Sequence, residues 1–463
     1  MKTRKGFFSI LALLSIITYA NRSGLALAVG TSVQTPNANN SIFLPIILNQ
    51  KPPATILVSV SSDGTQGNDA SGSLGLSISA DGRYVAFESL ANNLVPNDIN
   101  DKWDVFLRDL LTGEIEIISL AYDGSQGNND SGRNLIISLD GRYVVYESWA
   151  SNLIPSDTNE STDTFIYDRI SRTTTLVSKS SNGEQANEGS YQPAISTNGR
   201  YVAFYSVASN LVSGDSNDTW DVFVHDIHTG TTVLVSKTSE GFQGNDTSTS
   251  PSMSGDGRYV AFGSLASNLV LNDTNQASDI FIHDTETGIT KRVSLASDGT
   301  QGNGSSYGPS LSADGRYVAF MSFADNLVEN DKNNYADVFV HDTQTGTTQL
   351  VTKSTDGVQG SGGIVGLIIS ADGRYIAFGT ISAVLVPDDT NEAMDVFIHD
   401  RLTGVTELVS KSSDGTLGNA SSGAWELGIS ANGCSVAFHS HATNLVDEDT
   451  NGTTDVFVRD CGR

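Results

Sequence analysis

Basic residues are scarce in this chain. It carries 26 Lys and Arg against 53 Asp and Glu in 463 residues, a formal net charge of −27. Such a surface cannot displace counterions from a nucleic-acid backbone, which excludes nucleic acid as a partner and disfavours anionic membranes. Cysteine is scarcer still, at two. That count excludes a disulfide-rich scaffold, and no zinc-spaced Cys/His set is present. Beyond Ala20 no apolar run approaches the about 20 residues that a membrane helix needs. No P-loop or Ser-His-Asp motif is present either. What the chain has in excess is glycine, at 45, with only 17% charged residues against the about 25% usual in soluble domains. With 38% hydrophobic content it can build a core. The composition is that of a turn-dense β protein.

Lys2, Arg4 and Lys5 precede an apolar run from Phe7 to Ala20, and Ala26-Leu27-Ala28 follows as a small-residue cleavage site. This order predicts a secretory signal peptide over residues 1–28 and a secreted or otherwise extracytoplasmic protein, periplasmic or cell-surface. Its removal takes away four basic residues and no acidic one, which deepens the net charge from −27 to −31. Residues 29–53 read as a Pro- and Asn-bearing linker, with a short apolar patch from Ile42 to Leu48.

From residue 54 the chain repeats. The phrase DGRYVAF, with variation, begins at Asp81, Asp140, Asn198, Asp256, Asp314, Asp372 and Asn432, at spacings of 58 to 60 residues. A fixed period found seven times specifies an architecture. In the fifth unit, alternating apolar residues and turn signals predict strands over 309–312, 316–322, 337–342 and 347–353. Four antiparallel strands in each of seven units predict an all-β, seven-bladed β-propeller over residues 54–463. The seventh unit ends after its third strand, and TILVSVS at 55–61 matches the missing fourth, so the N-terminal strand is expected to complete the last blade.

The unit ADGRYVAF…DVFVHDTQTGTTQLV resembles the TolB-type, WD-repeat-like propeller repeat, across roughly residues 55–463. The resemblance implies the fold and says little of function. Relatives of this kind serve as protein-interaction platforms, as non-catalytic halves of peptidases, or as stand-alone exported proteins.

Cys434 stands where other units carry the Arg that opens the second strand, and Cys461 follows the third strand of the same unit. In an antiparallel pair these ends lie side by side, which predicts a Cys434–Cys461 disulfide in an oxidising compartment.

Every unit places D-x-N-x-x-x-D between its second and third strands: Asp98/Asn100/Asp104, Asp157/Asn159/Asp163, Asp215/Asn217/Asp221, Asp273/Asn275/Asp279, Asp331/Asn333/Asp337, Asp389/Asn391/Asp395 and Asp449/Asn451/Asp455. Clustered side-chain oxygens suit calcium, and Asx-turns account for the same residues without a metal. The repeated His225, His283, His341 and His399 read as packing between blades. At the end of the second strand the repeat breaks instead. Glu88, Glu147, Tyr205 and His439 fall on adjacent blades and form a candidate acid–base arc. Near the loop-rich face lie Trp103, Arg133, Tyr191, Trp220, Tyr307, Tyr335 and Trp425, candidates for gripping a ligand. Together these readings favour an exported, non-catalytic propeller that binds a protein, peptide or glycan. The alternative is a propeller lyase or glycan hydrolase using the Glu/His arc.

Overall fold

The computed structural model describes residues 52–387 and 389–462, apart from the side chains of Ala424 and Trp425, together with two short paired strands, Leu14–Ile16 and Val29–Thr31. Apart from Leu14–Ile16, the expected signal peptide lies outside the described residues, as does most of the expected linker. Among the described residues no helix is long and apolar enough to cross a membrane.

Residues 53–461 form one unit of seven four-stranded antiparallel sheets. In the fifth the strands are Ser306–Leu311, Tyr317–Ser322, Asp337–Asp342 and Thr347–Leu350. The first therefore begins three residues earlier than expected, and the fourth is shorter. The first strands of successive blades touch one another all the way round, and the seventh touches the first, so they encircle the axis of a closed seven-bladed propeller. Closure comes from the N-terminal strand. Ala54–Leu57 pairs with Asp455–Asp460 as the outer strand of blade 7, with Ala54 opposite Asp460 and Leu57 opposite Phe457.

The repeated motif residues join blades to each other. Each blade stacks two rings in its second and third strands, Phe204 on Phe223 for example, with centroids 5.9 Å apart. The Tyr of each D-G-R-Y turn then packs beneath the Gly of the next blade's turn. At Gly199, φ is +71° and an added Cβ would sit 2.1 Å from the Tyr143 ring, so only glycine fits on both counts. The Arg between them forks onto the last Asp of the third strand. Arg316 gives two such bonds to Asp342, at 3.0 and 2.7 Å, and holds that carboxyl well below its usual range.

In blade 7 the Arg is absent and covalent chemistry takes its place. Cys434 and Cys461 form a disulfide with Cα atoms 5.0 Å apart, as their positions on neighbouring strands predict.

The repeated histidines are staples. His225 Nδ1 lies 2.8 Å from Thr232 Oγ1, whose hydroxyl donates to the Lys179 carbonyl of the preceding blade. Burial pushes its imidazole down to about 4. On the two blades flanking the closure, arginine does this work. Arg108 donates to the carbonyls of Val60 and Ser61, and Arg459 to Thr55 Oγ1 and the Ser412 carbonyl. Arg459 thus holds the closing strand itself, and Arg108 the segment just after it.

Candidate functional site

The D-x-N-x-x-x-D loops meet the blade-to-blade loops, and the donor between their carboxylates is a glutamine. Gln243 Nε2 donates to Asp215 Oδ1 at 2.8 Å and to Asp221 Oδ2 at 2.7 Å. Gln66, Gln185, Gln301 and Gln359 bridge their own pairs in the same way, and Gln126 reaches Asp98. Blade 6 departs from the pattern: Leu417 replaces the glutamine, and Asp389 Oδ1 is buried with no hydrogen-bond partner.

The asparagines are committed as well. Asn217 gives its amide to Asp221 at 2.8 Å, and its oxygen accepts the Thr219 N–H two residues on. Asn100, Asn159, Asn275, Asn333 and Asn391 give their amides to Asp104, Asp163, Asp279, Asp337 and Asp395 in the same way. Their oxygens accept the N–H groups of Lys102, Ser161, Ala277, Tyr335 and Ala393. Asn451 accepts from the Thr453 N–H and donates to the Gly67 carbonyl. In Asn100, Asn159, Asn217, Asn275, Asn333, Asn391 and Asn451 the oxygen that would ligate a calcium ion is held by the loop's own backbone. In the first six, what faces the last Asp is the amide N–H, which cannot ligate a cation. Among the described residues, no loop brings three carboxylate ligand atoms within 4.8 Å of one another. The contacts are those of the Asx-turn reading.

At the channel mouth the first strand of each blade loses its regular register. In blades 3, 4 and 5 the pairing skips just after Tyr191, Thr249 and Tyr307. Gln192 and Ser250 follow there in the left-handed region, with φ of 44° and 54°, and Asn134 takes the same conformation in blade 2. Bulges of this kind re-aim side chains beside functional sites. Here they turn polar groups onto the glutamates. Glu147 Oε1 accepts from Asn134 Nδ2 at 2.8 Å and from the Gln192 N–H at 2.6 Å. Glu88 Oε1 accepts from the Leu74 N–H at 2.6 Å, and its Oε2 is buried without a hydrogen-bond partner.

Glu88 and Glu147 line one cavity of about 230 Å³ with Trp103, Trp149, Asp130 and Arg133. It shares Leu74 and Arg133 with an axial cavity of about 540 Å³, onto which Glu426 opens. Burial is the main cause that raises all three glutamates. Glu88 stands well above the usual range, Glu147 is pushed up to about 7 and Glu426 to about 8; Glu426 also repels each of the other two.

Of the expected arc, Glu88 and Glu147 therefore share a cavity. Tyr205 feels the Glu147 charge but stacks with Tyr191 at 5.7 Å and packs edge-on to Trp220 at 5.2 Å. His439 is buried beside Gly72, held down to about 4 by burial and by His441, and lines neither cavity. Trp103 and Arg133 face the cavities, Tyr307 opens on the axial one, and Tyr335 is exposed. The Trp425 side chain lies outside the described residues.

Two features escaped sequence reasoning. Glu426 is one. The other is a collar: directly after the second strand, Trp149, Leu265, Phe323 and Ile381 occupy one repeat position and are 47, 50, 59 and 55% exposed. Leu90, Val207 and His441 complete the ring. The 58-residue register would have aligned these residues, but their exposure is not visible in a sequence.

No protein family matches the chain, and no curated protein does. Solved structures do. A prolyl endopeptidase aligns over 84% of this chain and half of its own length, at 10% identity and TM-score 0.50. The fold is a shared one. The propeller domain of the Trilobed protease from Pyrococcus furiosus covers 85% of this chain and 95% of its own, at 10% identity and TM-score 0.49. TolB from Acinetobacter baumannii covers 86% and 81%, at 15% identity and TM-score 0.39, an overlap too loose to bear on function.

Proposed function

We propose that this chain is an exported, non-catalytic propeller that binds a protein or peptide partner on its loop-rich face. The observation that carries the reading is the collar. Large apolar side chains stand exposed at one repeat position on blades 2, 4, 5 and 6, and exposed apolar surface of this kind marks interaction sites. The bulged first strands inside the rim offer a polar, shaped floor.

The test is a peptide and glycan array probed with the purified protein and with the variant Phe323→Asp/Ile381→Asp. Peptide hits that the variant loses support the reading. Hits confined to glycans, or peptide hits that the variant keeps, overturn it.

A second reading, a lyase or glycan hydrolase, draws on one feature. Glu147 sits near 7, where a general acid or base works best, in a cavity walled by two tryptophans. Turnover of a polysaccharide that Glu147→Gln abolishes would establish it.

A further inference from the structure

We infer that the cavity between Glu88 and Glu147 is a receptor for one basic side chain of the partner peptide, a lysine ammonium or an arginine guanidinium. The inference rests on the peptide-binding reading of the same face and adds the chemistry of the anchor.

Several observations converge on an organic cation. Glu88 is only 1% exposed and is one of the residues lining the cavity; its Oε2 makes no hydrogen bond, while the Leu74 and Gly75 N–H groups favour its ionised form. A buried carboxylate oxygen in that state lacks a donor. Glu147 stands on the same cavity, with its Oε1 fixed by Asn134 and Gln192. Glu426 opens on the adjoining space and repels both. Arg133 at the rim attracts Glu147, the smallest of the influences on that carboxyl, and among the described residues it makes no ion pair. Asp130 lines the same cavity, and Arg133 stands opposite Glu147 in the strand pairing. The site therefore gathers Glu88, Glu147, Glu426 and Asp130 about one cationic side chain, Arg133.

A bare metal ion does not suit this spacing. Among the described residues only Cys434, Asp460 and Cys461 bring three ligand atoms within 4.8 Å of one another, and two of those atoms are the disulfide. A polyatomic cation spans wider acceptors, because its N–H donors diverge. Trp103 and Trp149 supply aromatic walls against which such a cation is also attracted. Trp149 belongs to the collar, so residues flanking the basic one would lie on apolar surface. A cavity of about 230 Å³ fits one side-chain head.

Entry of a cation favours the ionised carboxyls, so binding releases protons near neutrality and tightens as pH rises from about 6 to about 8.5. The groups facing the site are Glu88, Glu147, Glu426, Asp130, Arg133 and, beyond Glu147, Tyr205.

The experiment is titration calorimetry of the purified protein with three acetylated, amidated tripeptides, Leu-X-Leu, where X is lysine, arginine or acetyl-lysine. Each is run at pH 8 in two buffers of different ionisation enthalpy. The expected result is binding of the lysine or arginine peptide at least about tenfold tighter than the acetyl-lysine peptide, with net proton release. Glu88→Gln and Glu426→Gln should each remove about tenfold or more. Because Glu88 is buried, Glu426→Gln serves as the variant on the open wall, and the acetyl-lysine arm needs no variant. Equal binding of the acetyl-lysine peptide, lost in Phe323→Asp/Ile381→Asp, overturns the cation and leaves the peptide reading standing. Absence of binding by the charged peptides overturns the cation as well. Failure of the array to return any peptide removes the broader reading.

Discussion

The glutamine bridges make a paired prediction, because blade 6 already contains the natural replacement. Gln243→Leu removes the donor to Asp215 Oδ1 and Asp221 Oδ2, and the acceptor for the Ser216 N–H at 3.2 Å. Asp221 keeps Ser236 Oγ at 2.5 Å and Asn217 Nδ2 at 2.8 Å, so the cost falls mainly on Asp215. A hydrogen bond to a charged group is worth about 1.5–3 kcal/mol. Partial burial of the new leucine returns roughly 1 kcal/mol. The expected net loss is about 1 kcal/mol. Leu417→Gln is the converse: it offers Asp389 Oδ1 the donor it lacks and should stabilise by about 1 kcal/mol. Denaturant midpoints of both variants, with unchanged slopes, are the assay. Loss of stability in Leu417→Gln together with an unchanged Gln243→Leu would refute the bridging argument.

Three further outcomes follow from the same contacts. Glu147 at about 7 and Glu426 at about 8 lie above their unfolded values, so the stability they contribute is complete at low pH and lost as pH rises through 7 and 8. His225, His283, His399 and His439 at about 4 lie below theirs, so their contribution is complete above about 6.5 and lost on acidification. Asp104, Asp163, Asp395 and Asp455 at about 6 oppose the histidines in that lower range. Tm should therefore climb as pH falls from about 8.5 to about 6.5; a steady climb toward the alkaline end would contradict the assignment. Cys434→Ser/Cys461→Ser should cost about 3 kcal/mol, since the bond closes a loop with a sequence separation of 27, and an unchanged denaturant midpoint would count against it. Millimolar calcium or EDTA should leave Tm unmoved, because glutamine amides already bridge the loop carboxylates; a rise with calcium that EDTA reverses would restore the metal reading.

The architecture was legible because each blade carries its own copy of the instructions. The D-G-R-Y turns, the third-strand D-V-F-V-H-D and the missing fourth strand at the C-terminus together imply the closed ring that Ala54–Leu57 completes. The Cys434–Cys461 bond was legible for the same reason, since an antiparallel pair fixes which ends meet. The site was half legible. Glu88 and Glu147 break the repeat and are found by that, whereas Glu426 sits where the first strand bulges and two-residue alternation no longer says which way a side chain points. The loops point both to calcium and to Asx-turns; the glutamine that bridges their carboxylates lies 28 positions beyond the first Asp, as Gln243 does from Asp215, and meets it only in the folded ring.

The central claim is that the loop-rich face does the binding, and hydrogen exchange with and without an array-selected peptide tests it most directly. Protection is expected in the first-strand bulges around Leu74, Asn134 and Gln192 and in the collar around Phe323 and Ile381. Protection confined to the D-G-R turns from Gly82 to Gly433, on the opposite face, would contradict the account.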